Sequence, residues 1–215
     1  MSGAAELLKN LAEAVESKKP DAIAAAKKAI LGIELTDPES VMAGYRVGLY
    51  VFYQEKNLDD ALAIFKVLAG CRVPCEDQAN AQITYAICLW AKDKKQQAIF
   101  ELRKAISGQT APSASAAAAL DYLALFLRDS GAQGQAIALV NEERIKQLEA
   151  LSKTTVAGDD QAQYVLRLAA AREERRKPGD LERALALYQE ISKSKISKTN
   201  LTAAQDAIKR LKNKP

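Results

Sequence analysis

The sequence predicts an all-α protein, and three observations lead to that prediction. Hydrophobic residues, dominated by Ala and Leu, make up 48% of the 215 residues, and charged residues make up 27%. Ala, Leu, Lys, Glu and Gln lose the least conformational freedom on entering a helix. Apolar residues recur at helical spacing, as in the stripe of Leu7, Leu8, Leu11 and Val15. Short polar turns interrupt this pattern repeatedly, so we expect many helices rather than a few long ones.

The polar turns divide the chain into helix hairpins. Asp37 before Pro38 predicts an N-cap followed by a proline in the first turn, which marks the start of a helix. Asp59 and Asp60 open the partner helix of that pair, where the helix dipole favours negative charge. Applied along the chain, these signals predict one domain over residues 1–215, with hairpins at about 3–31, 38–70, 75–108, 113–151 and 159–192 and a last helix at 200–212.

The second helices of four hairpins share a repeat, in which an Ala is followed four residues later by a large apolar residue. The anchors are Ala61, Ala98, Ala136 and Ala184, which are 37, 38 and 48 residues apart. A period in this range is typical of a helical solenoid, because hairpins that cannot bury their apolar faces alone stack on one another. The small residue lets two helices approach closely, and the large residue fills the space beside it.

This pattern resembles the tetratricopeptide repeat family. Ala61 with Phe65, and Ala184 with Tyr188, match the family's small residue and the aromatic residue four positions later, and Phe52 matches its first-helix aromatic. The repeats here are longer than the usual length of about 34 residues, and most lack the closing proline. The resemblance implies a right-handed α-solenoid of stacked antiparallel hairpins. Its first helices would line a concave groove that holds a peptide or helix of another protein.

The resemblance also implies which residues line the groove. These are Arg46, Tyr50 and Tyr53 in one first helix, Ile87 and Trp90 in the next, and Tyr122 and Leu125 in a third. Such a lining suits an apolar helix or extended segment held by aromatic anchors. The Lys/Asn/Arg set with which some family members clamp a C-terminal carboxylate is missing beyond Arg46 and Asn80. The alternative is that these side chains belong to the core or are covered by the chain's own terminal helix.

The residues that carry catalysis are missing. The chain has no histidine, the commonest general base and metal ligand, and it has no phosphate-binding glycine motif or nucleophile elbow. The ten glycines stand singly, and we interpret them as helix ends. We therefore predict no enzyme activity, no cofactor and no metal.

The cysteines indicate the cellular compartment in which the protein is expected. Cys71, Cys75 and Cys88 lack the spacing of a metal site or a disulfide scaffold, which indicates a reducing compartment, and Cys88 is expected in the core. No apolar stretch suits a signal peptide or a membrane span. Together these observations predict a cytoplasmic protein.

The net charge of +4 is unevenly distributed, because residues 151–215 contain fourteen Lys and Arg against eight Asp and Glu. The run at 172–177 ends a predicted helix, where cations complement the dipole, and its mixed sign indicates a solvated face. The other basic residues form a predicted C-terminal patch for an acidic partner: Lys193, Lys195, Lys198, Lys209, Arg210 and Lys212. No aromatic residue is interleaved with them, so nucleic acid is not an expected partner.

We predict a non-catalytic adaptor or scaffold that binds a peptide or helix of another protein. Two alternatives stay open. The stretch 48–68 resembles class II type III secretion chaperones, which pair a Tyr/Phe-rich first helix with an Asp-Ala-x-x-x-Phe second helix, and this implies a chaperone for an apolar client. The basic C-terminus instead indicates a structural subunit that packs into a larger assembly through its last helices.

Overall fold

The computed structural model describes residues 3–108, 111–132 and 134–213. Within these ranges the regular structure consists of eleven α-helices, and no strand occurs there. The prediction of an all-α fold is confirmed. The helices are α1 (Gly3–Glu16), α2 (Pro20–Gly32), α3 (Pro38–Tyr53), α4 (Leu58–Gly70), α5 (Glu76–Ala91), α6 (Lys95–Ser107), α7 (Ala114–Asp129), α8 (Gly134–Thr154), α9 (Asp159–Arg175), α10 (Asp180–Ser192) and α11 (Lys198–Lys212).

Local signals explain where the helices begin and turn. Pro38 is the first residue of α3, and the Asp37 carboxylate caps that helix by accepting a hydrogen bond from the Ser40 N–H at 2.9 Å. A residue with a left-handed backbone recurs in the turn of three successive hairpins. These residues are Lys18 (φ 62°), Lys56 (φ 53°) and Asp93 (φ 58°).

The chain folds as two compact units, of which the first is Met1–Ala105. In it the first helices α1, α3 and α5 lie side by side, α2 lies beside α4, and α5 also packs on α4. The centre of its core is fully buried and includes Val47 and Val51 of α3 with Phe65 and Leu68 of α4. Burial of this apolar surface is the main force that holds the helices together.

Two glycines inside α3 allow α4 to approach it closely. A Cβ atom added to Gly44 would lie 2.8 Å from Leu68 Cδ2, and one added to Gly48 would lie 2.8 Å from Phe65 Cε1. Carbon atoms in favourable contact are about 3.5–4.0 Å apart, so the neighbouring helix leaves no room for a side chain at either position. The interpretation of all ten glycines as helix ends is therefore wrong for Gly44 and Gly48.

The second unit is Ile106–Pro215, and α9 lies at its centre. This helix packs against α8, α10 and α11, while α7 packs on α8. Leu148 of α8 and Leu168 of α9 are buried in one cluster, and Tyr188 of α10 and Ala207 of α11 are buried in another. The boundary between the units falls within α6, and a single domain over residues 1–215 stays a prediction.

The repeat of the second helices appears as a packing pattern. The anchors Ala61, Ala98 and Ala184 are fully buried, whereas Ala136, in the first turn of α8, is half-buried. The large residues four positions after the buried anchors are also buried; they are Phe65, Leu102 and Tyr188. Small and large residues therefore alternate along the helix contacts, as close packing of hairpins requires.

Candidate partner-binding surface

The outer side of α3 carries four side chains that we call the α3 face: Met42, Arg46, Leu49 and Tyr53. Their spacing of four, three and four residues places them on one side of the helix. Met42 is 42% exposed and Tyr53 is 62% exposed, while Leu49 is half-buried. The opposite side of α3, which includes Gly48, packs on α4, so the α3 face is the side left to solvent.

Two contacts orient the polar groups of the α3 face. The Tyr53 ring packs edge-on against Phe52 with the ring centroids 4.8 Å apart. Arg46 forms an ion pair with Glu16 of α1, and both side chains stay partly exposed. The structure therefore brings the two predicted groove residues Arg46 and Tyr53 onto one surface, with the charge of Arg46 already compensated.

Tyr50 lies elsewhere. It is half-buried and lines an open cavity of about 870 Å³ between α2 and the N-terminal end of α4. In that cavity Lys27 Nζ lies 2.5 Å from Glu55 Oε2 and 2.9 Å from Asp60 Oδ2. The structure thus separates Tyr50 from Tyr53, although the two positions are only three residues apart in the sequence.

The two predicted groove residues of α5 present less surface. Ile87 and Trp90 are both half-buried on a helix that packs against α3 and α4. The Lys95 ammonium lies 5.5 Å from the centroid of the Trp90 ring, which is within the range of a cation–π interaction. Trp90 therefore contributes to the packing of its own hairpin.

In the second unit, the predicted residues of α7 are exposed. Tyr122 and Leu125 are three residues apart on one side of the helix and are both accessible. The Tyr122 ring packs against Phe126 with centroids 6.1 Å apart. These two side chains form a small apolar surface on the unit that contains them.

A charge network beside this apolar pair has no counterpart among the sequence-based predictions. Asp121 of α7 accepts hydrogen bonds from Arg144 of α8 and, at 2.7 Å, from Arg167 of α9. Glu174 of α9 accepts from Arg144 at 2.8 Å and pairs with Arg128 of α7 at 2.9 Å. These interactions cross-link α7, α8 and α9. The sequence contains a signal for this network, because α7 and α9 each carry two opposite charges seven residues, or two helical turns, apart. These are Asp121 with Arg128 and Arg167 with Glu174.

The interpretation of the run at 172–177 as a solvated face is wrong for two of its arginines. Arg172 is buried and forms ion pairs with Glu149 of α8 and Asp180 of α10. Arg175 donates to the buried Asp180 carboxylate from Nε at 2.9 Å and from Nη2 at 2.7 Å. These hydrogen bonds are the main reason why the pKa of Asp180 lies below its usual value.

The predicted C-terminal basic patch consists of two groups. Lys193, Lys195 and Lys198 stand at or before the start of α11, and Lys209, Arg210 and Lys212 occupy its last turn. The helix rise of about 1.5 Å per residue separates Lys198 from Lys209 by roughly 16 Å. All six side chains are exposed, and Arg210 pairs with Glu173 of α9 at 2.7 Å.

Two of the three thiols, those of Cys71 and Cys88, lack the features of a reactive site. Cys88 is fully buried, and burial raises its pKa to about 12. Burial also raises the pKa of the half-buried Cys71, whereas reactive cysteines have lowered pKa values.

In the part of the chain that the structure describes, no group of three or more His, Cys, Asp or Glu side chains could hold a metal ion. No described helix combines the length and apolar character needed to cross a membrane.

Comparison with known proteins identifies the fold. No protein-family model and no curated protein matches the chain. Among solved structures, one similar protein is the putative kinesin light chain of Podosopora anserina, which has nearly identical TPR-like repeats. Its sequence is 16% identical to this chain, and the two structures superpose with a TM-score of 0.55 over 90% of this chain and 100% of that one. A variant of the same protein is 15% identical to this chain and superposes with a TM-score of 0.55 over 98% of this chain and 99% of that one. BtubC (BKLC) from P. vanneervenii is 14% identical to this chain and superposes with a TM-score of 0.56 over 93% of this chain and 75% of that one. The chain therefore has a tetratricopeptide-repeat-like fold built from degenerate helical repeats.

Proposed function

We propose that this chain is a non-catalytic protein-interaction module, an adaptor or scaffold, that binds a peptide or helix of another protein on its first helices. The observation that carries the proposal is the α3 face, where Tyr53 is 62% exposed on the same side of the helix as Met42 and Arg46. Tyr and Arg are among the residue types that most often dominate binding energy at protein interfaces. The fold supports the proposal, because stacked repeats present extended binding surfaces in helical-repeat proteins.

The other predicted groove residues take different parts in this proposal. Tyr122 and Leu125 are candidate anchors on the second unit, since both are exposed. Ile87, Trp90 and Tyr50 are half-buried and offer less surface to a partner, and Tyr50 lines the cavity beside α2. A cytoplasmic location belongs to the same proposal and rests on the three cysteines of the sequence. The secretion-chaperone and structural-subunit functions stay predictions.

Affinity capture with matched variants tests the proposal. Tyr53→Ala removes the most exposed anchor of the α3 face, and Phe100→Ala removes an aromatic ring of similar exposure (64%) from α6. We expect wild type and Phe100→Ala to capture a common protein that Tyr53→Ala loses. Far-UV circular dichroism should show unchanged helicity, because Tyr53 contributes only about 1 kcal/mol through its contact with Phe52.

A photo-crosslinking amino acid at position 53 then identifies the contact directly. The captured protein should become covalently attached to the chain that carries the crosslinker at 53 and should not attach when the crosslinker is at 100. Recovery of the same proteins with wild type and both Ala variants, or crosslinking from position 100 alone, would exclude the α3 face as the binding surface.

A further inference from the structure

A second surface lies between α2 and α4. Two open cavities, of about 870 Å³ and about 690 Å³, line up along these helices and share Leu31. The first is lined by Ile23 and Ala24 at the N-terminal half of α2, and the second by Ala63 and Val67 of α4. We call the two cavities together the α2–α4 groove. Each of the two helices has 13 residues and is therefore about 20 Å long.

Small residues explain why the groove is open. Where close-packed neighbours would carry large side chains, α2 presents Ala24 and Gly32, and α4 presents Ala63 and Gly70. A Cβ atom added to Gly32 or Gly70 would meet no atom within 4 Å. Leu31 lines both cavities and is 53% exposed, so the groove has an apolar floor that the described part of the chain leaves uncovered.

The rim of the groove carries uncompensated positive charge. Lys18 and Lys28 border the first cavity, and Lys66 and Arg72 border the second; all four are exposed. Among the described residues, none of these four cations takes part in an ion pair.

The carboxylates of the groove are already neutralised in part. Lys27 is the cation that pairs with Glu55 and Asp60. With Glu34 as the remaining carboxylate, the groove holds five cations against three anions. The excess charge therefore resides on the rim.

We propose that the α2–α4 groove binds an acidic amphipathic helix of another protein. Its apolar side chains would pack on Leu31 and Val67, and its Asp and Glu residues would approach the rim cations at both ends. A helix of about 13 residues would equal α2 and α4 in length. No residue of the α3 face lines this groove, so the site is separate from that of the proposed function.

Charge complementarity selects this occupant over a second copy of the chain. A contact between the α2–α4 grooves of two copies would bring together two surfaces that each carry five cations against three anions, and like charges at an interface cost binding energy. An acidic helix gains from the same cations. It also covers the apolar floor, and removing apolar surface from water gains about 25 cal/mol per Å².

Binding of a designed peptide to the full chain tests the inference. The probe is a fluorescein-labelled peptide of about 14 residues, with Leu at helical spacing and Glu at the other positions, and the control peptide carries Lys in place of Glu. We expect saturable binding of the Glu peptide by fluorescence anisotropy at low salt, weakened as salt rises, and about tenfold weaker binding of the Lys peptide.

Protein variants locate the site. Leu31→Asp and the double change Lys28→Glu with Lys66→Glu should each weaken binding of the Glu peptide about tenfold or more. Leu181→Asp, which changes an exposed Leu of α10, is the matched control and should bind as wild type does. Tyr53→Ala should also bind as wild type does, so failure of the α3 face and failure of this groove are distinguishable. Since all the changed side chains are exposed, circular dichroism should show unchanged helicity.

Several outcomes would overturn the inference. One is the absence of saturable binding of the Glu peptide to wild type, and another is undiminished binding to Leu31→Asp. A third is a wild-type dimer, seen by light scattering, that Leu31→Asp converts to a monomer, since the occupant would then be a second copy. Tighter binding of an oligothymidylate than of the Glu peptide, lost in the same variants, would assign the groove to nucleic acid instead.

Discussion

Replacing Gly48 by Ala probes how closely α3 and α4 approach each other. The new Cβ atom would lie 2.8 and 2.9 Å from Phe65 Cε1 and Cζ and 3.1 Å from Ile64 Cγ2. Carbon atoms attract best at about 3.5–4.0 Å, so every one of these contacts is short by roughly 0.4 Å or more. Phe65 is fully buried, and its ring packs against Tyr45 with centroids 5.9 Å apart, so it cannot turn aside without moving other core residues.

Two effects of opposite sign determine how much Gly48→Ala changes the free energy of unfolding. Overpacking a close-packed core costs about 1–3 kcal/mol, whereas changing Gly to Ala inside a helix gains up to about 1 kcal/mol. Because the short contacts fall on Phe65 and Ile64, which are both fully buried, we expect the steric effect to dominate. The free energy of unfolding should therefore fall by about 1–2 kcal/mol.

The matched control is Gly70→Ala in the same hairpin. Gly70 ends α4, and a Cβ atom there would meet no atom within 4 Å. Its free energy of unfolding should stay unchanged or rise by up to about 1 kcal/mol. Urea unfolding followed by the fluorescence of Trp90 measures both variants, because Trp90 is the single tryptophan and lies in the same unit. If Gly48→Ala proves as stable as wild type, close approach of the two helices is not what requires a glycine at this position.

Two further predictions concern buried groups. Asp180→Asn should lower the free energy of unfolding by about 2–4 kcal/mol, because it breaks charged hydrogen bonds from Arg175 and leaves that guanidinium without its counter-ion. Thermal unfolding followed by far-UV circular dichroism measures this change. A loss of stability as small as that of Glu142→Gln, which removes a partly exposed ion pair with Lys177, would contradict the prediction. The lowered pKa of Asp180 means that its contribution is present above about pH 4 and is lost as pH falls through the folded value. Wild type should therefore lose more stability on acidification than Asp180→Asn does. Cys88, with a pKa of about 12, should stay unmodified by iodoacetamide at pH 8 in the native protein. Peptide mapping checks this, and alkylation of Cys88 as fast as that of the unfolded chain would show that the core opens readily.

Features that depend on neighbouring residues in the sequence are predictable. The cap formed by Asp37 and the start of α3 at Pro38 follow from short-range hydrogen bonds and the fixed φ of proline. The repeat of small anchors such as Ala61 and Ala98 is visible because the same helix contact recurs along the chain. These local and periodic signals are sufficient to predict the fold class.

Features that depend on distant residues are not predictable in the same way. The pattern alone suggests a helix end at Gly48, because the residue that requires it to be small is Phe65 on another helix. The pattern also suggests a solvated face at Arg172, because its partners, Glu149 and Asp180, belong to α8 and α10. The excess charge around the α2–α4 groove likewise becomes visible only once Lys27 is seen to hold both nearby carboxylates.

The sequence by itself determined that short helices follow one another along the chain with a repeating contact, because helix formation depends on backbone bonds four residues apart and on caps at the helix ends. The tertiary structure alone decided which side of each helix meets solvent. Tyr50 and Tyr53 stand on the same helix about one turn apart, yet Tyr50 lines a cavity beside α2 while Tyr53 is exposed. That difference arises because a side chain's exposure depends on the helices packed around it, which come from distant parts of the chain.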